Sequence, residues 1–140
     1  MEQLSEFISN HLVLCVLFVV ILVLLIKNLL TDFTQGGASI EASEATRLMN
    51  REKAILLDIR SQSEFSDGHI INATNIPFSE FDSRASELEK LRDHPVIICC
   101  KTGTTASLAV TALKKLGFEK IYRLKGGIEG WKQSSLPLAT

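Results

Sequence analysis

The chain contains 140 residues, with 15 lysines and arginines, 16 aspartates and glutamates, and three cysteines. This length fits one modest domain and a short additional segment. A formal charge of −1, without a basic patch interleaved with aromatic residues, gives nucleic-acid binding no support, so no nucleic-acid partner is expected. The mean hydropathy of +0.19 is high for a soluble protein, and a single segment accounts for it.

That segment is the unbroken apolar run LVLCVLFVVILVLLI at residues 12–26. A helix over residues 7–30 would be about 36 Å long at ~1.5 Å per residue, enough to cross a bilayer core of about 30 Å. We therefore expect a transmembrane anchor at residues 1–30. A cleaved signal peptide fits less well because the start is acidic and no A-x-A site follows. A buried globular helix fits less well because apolar side chains occupy every face.

The charges and cysteines predict a topology. Lys27 follows the run directly, so the positive-inside rule favours an outside N-terminus and a cytoplasmic C-terminal domain. Cys15 lies within the run, and Cys99 and Cys100 are adjacent, a spacing that rarely closes a disulfide without strain. Free cysteines of this kind fit a reducing compartment. We therefore expect a single-pass membrane protein.

After the run, residues 31–39 (TDFTQGGAS) are polar and contain glycine, which predicts a linker and a domain at residues 40–140. The elements expected in that domain are a helix beginning at Ser43, a buried strand at 54–59, a strand near 73–76, a short helix at 86–93, a buried strand at 96–100, a helix ended by Gly117, a strand at 120–124 and a closing half-helix in IEGWKQ. Because strands alternate with helices, the pattern predicts an α/β fold with a mainly parallel sheet.

The stretch PVIICCKTGTTAS places Cys100 between a buried strand and a helix, where open parallel sheets collect their chemistry. If the following loop curls around the Cys100 sulfur, its amide N–H groups form an anion-binding nest, to which the helix dipole adds. Both effects favour the thiolate, which is the nucleophilic form of cysteine. We therefore predict Cys100 as the nucleophile. The predicted substrate-binding residues are Lys101, Thr102, Gly103, Thr104 and Thr105.

Other interpretations of this stretch remain open. A cysteine at the end of a buried strand is often a small hydrophobe, as we expect of Cys99, which strand alternation turns to the opposite face. A metal site would need a second cluster, and His69 and His94 supply no paired motif, so no metal is expected. A phosphate-binding P-loop needs a Gly-Lys-Ser/Thr order that is absent.

Four segments in order resemble the rhodanese (sulfurtransferase) family. They are LLDIRSQSEF at residues 56–65, FSDGHIINATNIP at 65–77, CKTGTTAS at 100–107 and RLKGGIEGW at 123–131. The third coincides with the family's active loop, and the resemblance extends over residues 40–137. It implies a rhodanese-like parallel sheet flanked by helices, preceded here by the anchor, and a bacterial inner-membrane setting.

The resemblance also implies a reaction. The Cys100 thiolate would take a sulfane sulfur from thiosulfate or a persulfide, hold it as a persulfide, and pass it to cyanide or a thiol. Such chemistry is covalent and proceeds in two steps, with the loop amides stabilising the anionic terminal sulfur. No cofactor is expected. The implied partners are a small-molecule or protein sulfur donor and a thiol acceptor.

One departure from the family qualifies this reaction. Many relatives that use thiosulfate carry an arginine five residues after the cysteine, where this chain has Thr105. Lys101 could substitute only as a point charge, so a persulfide is the expected donor. A related Cys-x5-Arg phosphatase fits less well, because Ala106 stands where its arginine is required.

Two alternative functions remain. One is a weakly active or inactive binding module that recruits a membrane-protein partner. The other is a thiol sensor using Cys99 and Cys100, which their adjacency disfavours.

The charged residues near the predicted site are assigned structural roles. Buried charges must be paired, so we expect an Arg60–Glu64 pair or a bond from Asp58 to the backbone. We also expect His69 to satisfy hydrogen bonds, Trp131 to lie in the core, and the glycine pair at 126–127 to let the chain pass close to the active loop.

Overall fold

The structure is a computed structural model that describes residues 11–140, apart from the side chains of residues 28–35 and 85. Its backbone contacts divide the chain into a unit that ends at Thr34 and a unit of Gln35–Thr140. The helix α1 runs from Leu12 to Gln35.

The large apolar side chains of α1 from Leu12 to Ile26 are between 43 and 80% exposed within the protein. The described side chains of this helix end at Lys27, and residues 1–10 of the predicted anchor lie outside the described residues. Over the side chains that are described, no helix combines the length and the apolar character that crossing a membrane requires. The transmembrane part of the predicted fold is therefore not confirmed.

The unit of Gln35–Thr140 is built on a five-stranded sheet in the order β1-β5-β4-β2-β3, in which every pair of neighbouring strands is parallel. The strands are β1 (Ala38–Ile40), β2 (Ile55–Asp58), β3 (Thr74–Asn75), β4 (Val96–Cys99) and β5 (Ile121–Leu124). The helices are α2 (Ala42–Arg51), α3 (Gln62–Asp67), α4 (Phe81–Arg84), α5 (Ala106–Lys115) and α6 (Gly127–Gln133), with 3-10 turns at Phe78–Glu80 and Ala85–Leu91. The predicted α/β fold with a parallel sheet is confirmed.

Helices cover both faces of the sheet, which explains why its central strands read as continuous apolar runs. On one face, Val96, Ile98 and Cys100 join the buried residues of α5 in a cluster. On the other face, Ile97 and Cys99 pack with α2 and α6 in a second cluster. Because successive side chains of a strand point to opposite faces, the adjacent cysteines lie in separate cores, as predicted. Trp131 lies in the second cluster, also as predicted.

Besides the short helical turns at Phe78–Glu80 and Phe81–Arg84, two elements of the structure were not predicted. The strand β1 occupies part of the segment expected to be a linker and pairs with β5. The helix α3 begins with a capping box, in which the Ser61 hydroxyl accepts from the Glu64 amide and the Glu64 carboxylate accepts from the Ser61 amide. The S-x-x-E pattern of SQSE carries that signal in the sequence.

Because β1 extends the sheet, a domain fragment cut at Ile40 should be less stable than one cut at Gln35. The shorter fragment loses Gly36, which is buried, and the Gly37 carbonyl, which accepts from Arg123 Nε at 3.2 Å. We expect its free energy of unfolding to be about 1–2 kcal/mol lower, as for one or two net hydrogen bonds. Urea unfolding of both fragments measures the difference. Equal unfolding midpoints would show that β1 does not stabilise the domain.

Candidate active site

Cys100 directly follows β4 at the carboxyl edge of the sheet, where ligand crevices form in parallel α/β folds. A five-residue loop, Lys101–Thr105, separates it from the first residue of α5. Cys100 is only 4% exposed, so its sulfur does not lie on the open surface.

The loop presents one amide directly to the sulfur. Among the described residues, the Gly103 amide donates a hydrogen bond to Cys100 Sγ with an N···S distance of 2.9 Å. Gly103 has a φ of +92°, in the region that favours glycine. A Cβ there would make only ordinary contacts, at 3.4 Å from the Gly126 nitrogen, so the positive φ and not crowding favours glycine. Glycine at this position therefore lets the amide turn toward the sulfur.

The remaining loop residues predicted to bind substrate are exposed. Thr102 and Thr104 share a hydrogen bond between their hydroxyl groups at 3.2 Å. Lys101 Nζ lies 3.9 Å from Glu64 Oε1, in a solvent-exposed ion pair. Thr105 is the N-cap residue of α5 and makes no side-chain capping bond. The loop thus places three hydroxyl groups and one ammonium group around its rim and the Gly103 amide next to the sulfur.

The helix α5 contributes electrostatically to the same end of the sheet. It has no acidic residue in its first turn and carries Lys114 and Lys115 in its last turn. The positive end of the helix dipole lies at Ala106, immediately after the loop, and no acidic side chain in the first turn offsets it. This end favours negative charge in its vicinity.

A buried ion pair anchors the neighbouring strand end. Arg60 Nη2 lies 2.7 Å from Asp58 Oδ2, and the two side chains are 7% and 1% exposed. The backbone amide of Arg60 also donates to Asp58, and its guanidinium donates to the Gly68 carbonyl at 2.8 Å. Burial acts to lower the pKa of Arg60, but the hydrogen bond and charge of Asp58 outweigh it and raise the pKa.

This arrangement differs in part from the predicted one. The expected bond from Asp58 to the backbone is present, but Arg60 pairs with Asp58 rather than with Glu64. Glu64 instead caps α3, where the Ser61 hydroxyl lowers the pKa of its carboxyl group against the opposing effect of burial. The reason is that its capping box holds Glu64 at the first turn of α3.

Sequence reasoning did not single out Asn75, which joins the same network. Its amide nitrogen donates to the carbonyl oxygens of Asp58 at 2.9 Å and Arg60 at 3.0 Å. Asn75 therefore ties the end of β3 to the chain that leaves β2. The sequence feature that could have identified Asn75 is an amide side chain at the end of a short strand, two residues before Pro77.

Cys99 is chemically distinct from its neighbour. Burial, reinforced by the charge of Asp58, raises the pKa of the Cys99 thiol. Its sulfur lies 3.6 Å from the Cys100 carbonyl oxygen. Because the thiolate is the reactive form, Cys99 remains an inert core residue. All described cysteines are free thiols.

The contacts of His69 are structural, as those of Cys99 are. Its Nδ1 lies 3.0 Å from the Phe65 carbonyl oxygen, and its ring stacks on the Phe65 ring. In the described part of the chain, no group of histidine, cysteine and carboxylate side chains could hold a metal ion.

A model of the rhodanese-like domain matches residues 41–134. The chain belongs to the rhodanese family. The uncharacterized protein YibN of Escherichia coli K12 is 34% identical over 99% of this chain and 97% of its own length. The thiosulfate sulfurtransferase GlpE of Glaesserella parasuis is 33% identical over 71% of this chain and 90% of its own. A crystal structure of a rhodanese-related protein from Thermoplasma volcanium superposes with a TM-score of 0.65 and 31% identity, covering 73% of this chain and 97% of that one.

These relatives support sulfurtransferase activity at the level of the rhodanese family. The matched region includes the carboxyl edge of the sheet, with Cys100 and its loop. It also includes the Asp58–Arg60 pair that braces the strand next to β4.

The buried ion pair of this rhodanese domain should contribute much more stability than an exposed one. Arg60→Met leaves the Asp58 carboxylate buried without its partner, which costs about 3–5 kcal/mol. Arg84→Met is the matched control, because Arg84 is 36% exposed and pairs with Glu80 and Glu87 at the surface. We expect the control to lose less than about 1 kcal/mol. Urea unfolding of both variants measures the two losses, and equal losses would contradict the structural role of Arg60.

Proposed function

We propose that the protein is a membrane-anchored sulfurtransferase that carries a sulfane sulfur on Cys100. The observation that carries the proposal is the 2.9 Å hydrogen bond from the Gly103 amide to Cys100 Sγ at the strand end of a rhodanese domain. A donor N–H aimed at a sulfur stabilises that sulfur as an anion, by the same physics as an oxyanion hole.

The proposed reaction has two displacement steps. The Cys100 thiolate attacks the outer sulfur of the donor and forms a new S–S bond, while the donor's own S–S bond breaks. Its electron pair leaves with sulfite when the donor is thiosulfate, or with a thiolate when the donor is a persulfide. An acceptor thiolate or cyanide then attacks the terminal sulfur and releases the Cys100 thiolate. The two steps exchange sulfur between nucleophiles, so no external oxidant is needed.

The charges around the loop favour a persulfide over thiosulfate as the donor. A groove of about 210 Å³ beside the loop is lined by Lys101, Lys132 and the paired Arg60, together with the carboxylates of Glu64, Asp67 and Glu129. Acidic and basic groups balance, so the groove offers no net positive field to a dianion. The fixed fork of an arginine is also missing at Thr105.

A binding module is the second candidate function, and two observations favour it. Lys101 is engaged by Glu64, and the Cys100 side chain is nearly buried. On this alternative, the domain would hold a partner at the membrane without turning over sulfur.

Transfer of one sulfur atom to Cys100 separates the two candidates. After treatment of the full-length protein with thiosulfate or a low-molecular-weight persulfide, we expect its intact mass to rise by one sulfur atom. Cys100→Ser should abolish the gain and the release of thiocyanate from cyanide. Cys99→Ala should retain both, because Cys99 lies in the opposite core. A folded wild-type protein that takes up no sulfur would favour the binding module.

The anchor, the bacterial inner membrane and the cytoplasmic side of the domain are also proposed. They are supported by the apolar run at residues 12–26, by the exposure of its side chains within the protein and by Lys27 directly after it. An acceptor thiol in a reducing compartment, or on a membrane protein, would then be within reach.

Membrane fractionation and accessibility labelling test this placement. We expect the full-length protein to stay with the membrane after alkaline extraction. A Ser39→Cys variant, labelled at an exposed position of β1, should react with a membrane-impermeant maleimide only after the cells are permeabilised. Labelling in intact cells would reverse the topology, and recovery in the soluble fraction would remove the anchor.

A further inference from the structure

The turn between β5 and α6 lies against the back of the active loop. The Ile128 amide donates to the Cys100 carbonyl oxygen at 2.8 Å, and the Glu129 amide donates to the Lys101 carbonyl oxygen at 3.3 Å. Two consecutive carbonyl groups of the loop therefore point toward α6.

The opposite ends of the same peptide groups point the other way. A trans peptide places its N–H antiparallel to its C=O, and none of the peptide bonds in the described chain is cis. The amides of Lys101 and Thr102 therefore point away from α6. Cys100 packs with α5 on one face of the sheet, and Ile128 packs in the cluster on the other face. The amides of Lys101 and Thr102, which point away from α6, therefore point toward the face that holds the Cys100 side chain.

This orientation depends on a glycine. Gly127 has a φ of +58°. A Cβ at Gly127 would overlap the Cys100 carbonyl oxygen and come within 2.7 Å of the Lys101 carbonyl oxygen. Any side chain at this position would push the two carbonyl groups away from the amides of α6 and rotate the peptide groups that carry the loop amides.

We propose that Gly127 is a positioning residue for the Cys100 thiolate and its persulfide. It admits the carbonyl groups of Cys100 and Lys101 against α6 and so holds the start of the loop whose Gly103 amide donates to the sulfur. This inference rests on the proposed function for its chemical meaning, while the orientation of the amides can be tested on the free thiol. Gly103 lies close to the same turn, since a Cβ built on it would reach the Gly126 and Gly127 nitrogen atoms at 3.4 and 3.7 Å.

The test compares Gly127→Ala with Gly117→Ala in the full-length protein. Gly117 also has a left-handed φ, +87°, but a Cβ there would meet the Arg92 side chain only at 3.8 Å, an ordinary contact. Both variants bear the backbone strain of a positive φ, and only Gly127→Ala disturbs the loop. The readout is the rate of Cys100 alkylation by iodoacetamide at pH 7 relative to its rate at pH 10, resolved at Cys100 by peptide mass spectrometry.

We expect Gly127→Ala to lower this ratio roughly tenfold. The sulfur-transfer rate should fall by at least as much, because the loss of one hydrogen-bond donor to a developing anion lowers a rate by about 10²–10³. Gly117→Ala should keep the wild-type ratio. If Gly127→Ala loses stability as the control does and keeps the wild-type ratio, Gly127 is only structural and the proposal is overturned.

A second pair of variants covers the case in which Gly127→Ala does not fold. Glu129→Pro removes the N–H that donates to Lys101, in the first turn of a helix, where proline is best tolerated. Glu129→Ala keeps that N–H and removes the same carboxylate. We expect the alkylation ratio to be several-fold lower in Glu129→Pro than in Glu129→Ala, and equal ratios would contradict the proposal. A wild-type protein that takes up no sulfur would refute the proposed function, while the alkylation ratios would still decide the role of Gly127.

Discussion

The hydrogen bond from the Gly103 amide to the Cys100 sulfur is the interaction on which the site depends. It requires the chain to leave β4, reverse within five residues and enter α5, which only a left-handed residue at the middle of the loop permits. The sheet supplies a rigid starting point for that reversal, because Cys100 follows a strand with neighbours on both sides.

The two faces of the sheet give adjacent cysteines opposite chemistry. Cys99 is enclosed by apolar side chains, where burial raises the pKa of its thiol. Cys100 faces the other side, next to a backbone amide and the N-terminal end of α5. One residue of register thus separates a thiol enclosed in the core from the thiol that we propose as the nucleophile, because strand side chains alternate. The same alternation lets α6 brace the loop from the face opposite to the sulfur.

Much of the fold could be predicted from local patterns. The apolar runs at residues 54–59 and 96–100 became β2 and β4, and the polar stretch around Gly103 became the loop between β4 and α5. The strand β1 was missed because three residues next to glycines carry almost no periodic signal and pair only through the backbone. The partner of Arg60 was missed because a carboxylate two residues away and one four residues away are equally plausible in a sequence, and the capping of α3 decides between them.

Local patterns predict the alternation of strands and helices, the position of Cys100 at a strand end and the glycine that lets its loop turn, because each follows from short-range periodicity or from the conformational range of one residue. Three contacts emerged only from the three-dimensional structure: Asp58 neutralises Arg60, Asn75 joins two strand ends, and Gly127 lies against the carbonyl groups of the loop after Cys100. The Asp58–Arg60 pair is local in the chain, whereas the contacts of Asn75 and Gly127 join distant residues and depend on how the strands are ordered in the sheet. That order is set by packing both faces of the sheet at once, which no local pattern encodes.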